Sequence, residues 1–366
     1  MLTDYPGTDI VEISIFGPGK GESIVAHLGA DNWVIVDSCV DQSDGTLPAL
    51  RYLESIGVDA SRAVKMIVAT HAHDDHIAGI SRLFDACKSA FFVCSQAVTS
   101  EEFLSVIEVD REIESLLRKS SHSEYRSVFD MVELRGRSEL GIKPLKRALE
   151  GLEILAVRSD SGPNARVVAL SPSHEAVTRS QRLLARGLAH AGSRRKLSSA
   201  DPNEFAIALW VEVENMAILL GADLLKGPAG CGWQAVLATF NPELQASLFK
   251  ISHHGAPNAH HDGVWEKLLI ESPVAILAPY RAGRTPRPAP SDRTRICTLT
   301  PHAHICASPD KTAQSRAVNK AAASMSQLAR NVREPWGKPG QVRARAKIGS
   351  DSWTVDMIPP ARRLCN

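Results

Sequence analysis

Apolar residues come in short bursts near the start of the chain. IVEISIF (10–16), ESIVAHL (22–28) and NWVIVD (32–37) are rich in β-branched or aromatic residues and bounded by glycine or polar breaks. Such runs predict short strands, and the turn GPGKG between the first two predicts a β-meander. A helical stretch follows near 46–56, and then VKMIVAT (64–70) reads as a buried strand leading directly to His71. Beyond it, Ile77, Ile80, Leu83, Phe84 and Cys87 recur at spacings of three and four, the stripe of a helix starting near Asp74.

From Ser100, followed by Glu101 and Glu102, the pattern turns helical and charged to about residue 150, with breaks near 120–123 and at Gly136. This predicts a helical insertion at 99–150 between two halves. Strands resume at LEILAVR and RVVALSP and continue as FAIALWVEV, MAILLGAD, LFKISHH and PVAILAP. Past residue 280 come the Pro/Arg-rich RAGRTPRPAPSDR, a helical pattern at 311–330, and two strand patterns, QVRARAKI and SWTVDMI. The expected division is a domain at 1–280 carrying the insertion, with 281–366 an extension that completes or packs on it.

With 366 residues, 44% of them hydrophobic, the chain can bury a sizeable core. No apolar run approaches the ~18 residues of a membrane span, and the start lacks a signal-peptide pattern, so a cytoplasmic location and no membrane partner are expected. Seven scattered cysteines without a CxxC pair argue against a disulfide framework or zinc ribbon and read as reduced thiols. The net charge of +1 hides an asymmetry: residues 1–150 hold 15 Lys/Arg against 24 Asp/Glu, and residues 151–366 hold 27 against 17. A polyanion would therefore meet the second half.

The densest chemistry is H-A-H-D-D-H at 71–76, three imidazoles and two carboxylates at a strand-to-helix junction. Divalent metals find both nitrogen and oxygen donors there. In an extended segment alternate residues project to one side, so His71 and His73 can grip one ion while Asp75 and His76 face a second. The first helical turn favours an ionised Asp75. Two such ions about 3.5–4 Å apart would generate a bridging hydroxide, the logic of two-metal hydrolysis.

This pattern resembles the metallo-β-lactamase signature, and further elements follow in the family's order. Asp37 matches the early aspartate that supports the ligand loop, Asp223 the metal-bridging aspartate, and His253-His254-Gly255 the late histidine motif. His174, after RVVALSP, is the candidate for the family's middle histidine. More closely, the chain resembles the soluble hydrolase domain of the ComEC/Rec2 DNA-uptake proteins, through Gly17-Pro18-Gly19-Lys20-Gly21-Glu22 and Asn203 before a long hairpin. The resemblance implies an α/β fold of the αββα sandwich type, two divalent ions (Zn²⁺ or Mn²⁺), and hydrolysis, often of phosphodiesters. The ligand set expected on this basis is His71, His73, Asp75, His76, His174, Asp223 and His253, with Asp37 behind it. His253 is favoured over His254 because it comes first after the strand; His254 would then donate a proton or touch a phosphate oxygen.

Other signals are weaker. GPGKGES lacks the P-loop's Lys-Ser/Thr pair and reads as a hairpin turn. His302-Ala303-His304 reads as an ordinary strand, and His260-His261-Asp262 as either a support of the site or a helix start. Arg182, Arg186 and Arg195 lie in a basic strip (178–196) without acidic residues, a candidate phosphate-contact surface alongside Asn203. Without aromatic residues it offers backbone contact only. The expected activity is that of a phosphodiesterase or nuclease, with single-stranded DNA or RNA as substrate. The alternatives are a hydrolase of thioesters, lactones or cyclic nucleotides, and a regulatory protein that keeps the fold.

Overall fold

In a computed structural model, residues 3–19, 21–99, 121–136, 144–159, 162–189, 202–281, 285–309, 324, 338–350 and 352–365 are described. Two eight-stranded sheets make up the frame. The chain contributes β1 (Ile10–Gly19), β2 (Gly21–Leu28), β3 (Trp33–Val36), β4 (Val64–Ala69), β5 (Phe91–Ser95) and β6 (Leu145–Ala148), and then β7 (Glu153–Val157), β8 (Ala165–Ala169), β9 (Leu209–Val213) and β10 (Met216–Leu220). It finishes with β11 (Ala246–Lys250), β12 (Leu269–Leu277), β13 (Ala303–Ile305), β14 (Gly340–Lys347), β15 (Thr354–Ile358) and β16 (Arg362–Arg363). Sheet one has the order β15-β14-β1-β2-β3-β4-β5-β6 and sheet two β16-β13-β12-β11-β10-β9-β8-β7.

Strand alternation explains why these sheets stack. On β1, Val11, Ile13 and Ile15 face inward with Ile24, Ala26 and Leu28 of β2, and meet Ile207, Leu209, Val211, Ile218 and Leu220 of the other sheet. Successive side chains of a strand point to opposite faces, so the intervening residues form separate outer cores. Outside sheet one, Val25, Trp33, Ile35 and Ile67 pack under helices Pro48–Ser55, Ile80–Ala86 and Ser121–Gly136. Outside sheet two, Trp210, Leu219 and Phe249 pack under helices Gly232–Thr239, Asp262–Lys267 and Pro290–Leu299. The result is an αββα sandwich in which both sheets are apolar on both faces, as expected for strands covered by helices.

Several elements differ from their sequence reading. The expected helix from Asp74 is two short helices, Asp74–Ile77 and Ile80–Ala86, broken where Gly79 takes a left-handed conformation (φ 76°). The helical reading up to residue 150 overruns β6, whose residues pair in parallel with β5. Ser100 and most of the 311–330 pattern lie outside the described residues. The reading of all cysteines as reduced thiols is corrected by a Cys297–Cys365 disulfide across 68 residues. It joins helix Pro290–Leu299 to the residue after Leu364, a proximity created by tertiary packing that spacing along the chain does not reveal. His302-Ala303-His304 overlaps β13, and the His261 side chain accepts from Gly263 N as the cap of helix Asp262–Lys267. No helix among the described residues is long and apolar enough to cross a membrane.

Candidate metal centre

Strand direction assembles the site. β3 and β4 run parallel in sheet one, as do β10, β11 and β12 in sheet two. Their carboxyl ends therefore deliver Asp37, His71, Asp223, His254 and Tyr280 to one end of the sandwich. β2 runs antiparallel to β3, so its first residues, Gly21 and Glu22, arrive at the same end. The two sheets are stitched there by a bond from Ile207 N to Thr70 O.

Local backbone geometry aims these side chains. Asp37, Ala222, His253 and His254 all have positive φ (61°, 44°, 47° and 53°). Non-glycine residues rarely occupy that region, and they persist there where surrounding bonds hold them. Those bonds are present: Asp37 N donates to Val68 O, Gly221 N to Lys250 O and His253 N to Ala222 O. Gly21 is indispensable in another way. A Cβ on it would lie 1.9 Å from Asp75 O, so the β1–β2 turn presses directly on helix Asp74–Ile77, and its φ of 105° suits glycine alone.

Hydrogen bonds set the histidine tautomers. Thr70 Oγ1 donates to Asp37 Oδ2 (2.8 Å) and so accepts from His71 Nδ1 (3.0 Å). His76 Nδ1 donates to Asp37 Oδ2 at 2.6 Å, and His254 Nδ1 to Ala278 O at 3.0 Å. Each of these bonds engages Nδ1 and turns Nε2 towards the other rings and carboxylates, the arrangement in which a second partner orients an imidazole for a metal. The exposed nitrogens converge. His76 Nε2 lies 3.4 Å and His254 Nε2 3.3 Å from Asp223 Oδ2, with Asp75 Oδ2 at 3.9 and 3.5 Å from the same two nitrogens. His71 Nε2 is 3.1 Å from His73 Nδ1.

Charges are strongly coupled. Burial opposes the cationic form of His254, but Asp223 and hydrogen bonds to Asp223 and Asp75 push it up to about 10. Burial likewise disfavours charged His76, yet Asp223, Asp37 and Asp75 hold it well above the usual histidine range. Burial and the charge of His76 instead drive His71 well below it. Against the penalty of burial, His254 and His76 keep Asp223 well below the ordinary carboxylate value. Beneath them, Lys250 is fully buried with Nζ 2.5 Å from Glu22 Oε1 and 3.7 Å from Asp223 Oδ1, and it donates to Ala222 O (2.9 Å). Burial disfavours this ammonium, but Glu22 and Asp223 raise it.

The donor chemistry fits a divalent cation. His76 Nε2 and His254 Nε2 are buried and make no hydrogen bond among the described residues, and neither does Asp223 Oδ1. Three groups of donors lie within 4.8 Å of one another: His71, His76 and Asp223; Asp75, His76 and His254; and Glu22, Asp37 and His76. Cations replace protons on such nitrogens and relieve the orphaned carboxylates.

Other expected residues fall elsewhere. His253, favoured on sequence, lies beside the cluster, with Nδ1 3.1 Å from Asn258 Oδ1 and Nε2 3.3 Å from Asn203 Nδ2; His254 occupies the inner position. The left-handed turn through both histidines produces this exchange. His174 is exposed on the first turn of helix His174–Ala189 and joins none of the donor groups. Arg182 is exposed, whereas the Arg186 side chain and Arg195 lie outside the described residues. Reading the sequence alone also passes over Glu22 as a partner, Lys250, which hides in the apolar run LFKIS, and Tyr280. The Tyr280 ring stacks on His254 with centroids 5.4 Å apart and planes 24° apart, and partial burial with the Asp75 and Asp223 charges pushes its phenol up.

No family model matches this chain, and no curated protein does. Among solved structures it is similar to the metallo-β-lactamase fold protein YhfI from Bacillus subtilis, at 12% identity and TM-score 0.35, covering 84% of this chain and 97% of that one. It is also similar to a variant metallo-β-lactamase from Cronobacter sakazakii (14%, TM-score 0.32, 65% of this chain and 75% of that one). A CmlA β-hydroxylase variant gives 13% and 0.32, covering 65% of this chain and 35% of that one. By its own strand order and its four layers, the chain has the αββα architecture of the metallo-β-lactamase fold.

Proposed function

We propose that this protein is a metal-dependent hydrolase acting on phosphodiester bonds of a nucleic acid. The observation that carries the hydrolase reading is the convergence of the buried imidazoles of His71, His76 and His254 on the Asp75 and Asp223 carboxylates, with the Nε2 atoms of His76 and His254 making no hydrogen bond among the described residues. His71, His73 and Asp223 would hold one divalent ion, and Asp75, His76 and His254, with Asp223 shared, the other. Bound there, Zn²⁺ or Mn²⁺ would acidify water and polarise the oxygen of the scissile group. Asp37 fixes the Nδ1–H tautomer of His76 and, through Thr70, that of His71, keeping both Nε2 lone pairs directed inward.

The half-exposed side of the centre is formed by His73, Asp75, His253 and Tyr280, so substrate approaches across these residues. The phosphodiester reading is supported by the resemblance of the motif order to that of DNA-uptake hydrolase domains and by the basic second half of the chain. His253, with Nε2 engaged by Asn203 and Nδ1 by Asn258, shapes the rim of the centre.

The test is purified protein reconstituted with Zn²⁺ or Mn²⁺ and offered labelled single-stranded DNA, RNA, cyclic nucleotides, a thioester and a lactone. Cleavage of DNA or RNA that a chelator abolishes and Asp75→Ala removes, with circular dichroism unchanged, is the expected result. Turnover confined to the thioester or lactone would overturn the phosphodiester assignment and leave the metal centre standing.

A further inference from the structure

β12 does two things for His254. Its end supplies the Ala278 carbonyl that takes the Nδ1 proton, and two residues later it places the Tyr280 ring against the imidazole. The tyrosine is fixed from behind. Tyr280 and Arg287 exchange both backbone hydrogen bonds at 2.9 Å, and Arg287 Nη1 donates to Asp292 Oδ2 at 2.7 Å. Asp292 is 1% exposed and also receives Arg295 Nη1, while Arg295 Nη2 donates to Gly255 O at 2.6 Å, in the loop that carries His254.

These contacts close a ring from Tyr280 through Arg287, Asp292, Arg295 and Gly255 to His254 and back. This ring pins the Tyr280 backbone while its aromatic ring rests on His254, so the residue is placed before substrate arrives, the condition for an effective preorganised donor. Stacking alone needs no hydroxyl. The Tyr280 hydroxyl has no hydrogen-bond partner among the described residues, and the side chain is only partly buried beside the open side of the centre. An unperturbed phenol, with a pKa of about 10, is neutral and a donor across the physiological range.

We propose that Tyr280 contacts the substrate directly, its hydroxyl donating a hydrogen bond to an anionic non-bridging oxygen of the phosphodiester bound on the His254 side of the centre. The assignment rests on the phosphodiester reading above. It is independent of which ion the centre takes.

The experiment compares wild type with Tyr280→Phe, which keeps the stacked ring and removes only the hydroxyl. Three quantities are measured on metal-loaded protein: metal content, kcat/KM for a labelled single-stranded oligonucleotide, and the inhibition constant of inorganic phosphate. A hydrogen bond to a charged group predicts a loss of roughly 10- to 100-fold in kcat/KM and a weakening of phosphate inhibition by about tenfold, with metal content unchanged. Wild-type values for both constants in Tyr280→Phe would overturn the proposal while leaving the phosphodiester reading intact. Loss of metal in that variant would also overturn it, by making Tyr280 a prop for His254. A wild-type protein that neither cleaves the oligonucleotide nor responds to phosphate refutes the phosphodiester reading, and this contact with it.

Discussion

The Lys250–Glu22 pair offers the sharpest test of how the centre is supported. Both side chains are 0–1% exposed, their charged atoms are 2.5 Å apart, and Lys250 also holds the Ala222 carbonyl. Replacing Lys250 with methionine keeps the volume but leaves Glu22 buried without its ammonium partner and takes a positive charge away from Asp223. Breaking one side of a buried pair costs about 3–5 kcal/mol, because the remaining charge keeps its desolvation penalty and loses its compensation. Urea unfolding of chelator-treated protein, followed by fluorescence of the six tryptophans, should therefore show Lys250→Met destabilised by about that amount. The double variant Lys250→Met/Glu22→Leu removes both charges and should recover most of it, with a coupling energy of at least about 2 kcal/mol. Zinc or manganese should shrink the single-variant loss, since cations bound at Asp223 replace the positive charge that Lys250 sets beside it. A loss below about 1 kcal/mol for Lys250→Met, or strict additivity in the double variant, would refute the argument.

Other expectations follow from geometry already described. His254→Ala should lose bound metal by mass spectrometric metal analysis, whereas His253→Ala should keep it and show a raised KM or lowered kcat. Asp37→Ala frees the His76 ring and unseats Thr70, so metal affinity should fall by about 10- to 100-fold in a competition titration. Gly21→Ala forces a Cβ against the Asp75 carbonyl and should impair metal binding more than Gly57→Ala, which meets nothing within 4 Å. His27, fully buried with Nδ1 bonded to Ile10 O, is pushed down to about 4 by burial. Its neutral form favours the folded state, so that stability is complete above pH ~6.5 and declines as the pH falls towards 4, by up to about 3 kcal/mol. Urea midpoints measured from pH 7 to 5 should fall in wild type and less in His27→Gln.

Much of this arrangement is legible in the sequence because it is carried by local pattern. H-A-H-D-D-H after VKMIVAT and the terminal aspartates of NWVIVD and MAILLGAD identify themselves through the strands that end in them. The choice between His253 and His254 does not, since it turns on two consecutive left-handed residues held by a bond to Ala222. Lys250 looks like an outward-facing strand residue until Glu22 is brought against it by the meeting of the two sheets. Tyr280 is one tyrosine after a strand, and only the Arg287–Asp292–Arg295 chain of contacts shows why it stands still. Cys297 and Cys365 are too far apart in sequence to suggest their pairing, and β6 was hidden by its charged residues, Lys146 and Arg147, which read as a continuation of the helix.

The position of β1 in sheet one bears on how the protein comes to exist in a cell. One side of β1 pairs with β2 immediately after it, but the other pairs with β14, Ile13 standing opposite Ala344. As the polypeptide leaves the ribosome, β1 must wait for Gly340–Lys347 to be made with one row of backbone donors and acceptors unpaired, next to a face made of Val11, Ile13 and Ile15. Strands in that condition are templates for other chains. Chains cut short before residue 340 keep every proposed metal donor yet leave β1 as a permanent raw edge, so they should accumulate as aggregates whatever their metal-binding residues are able to do.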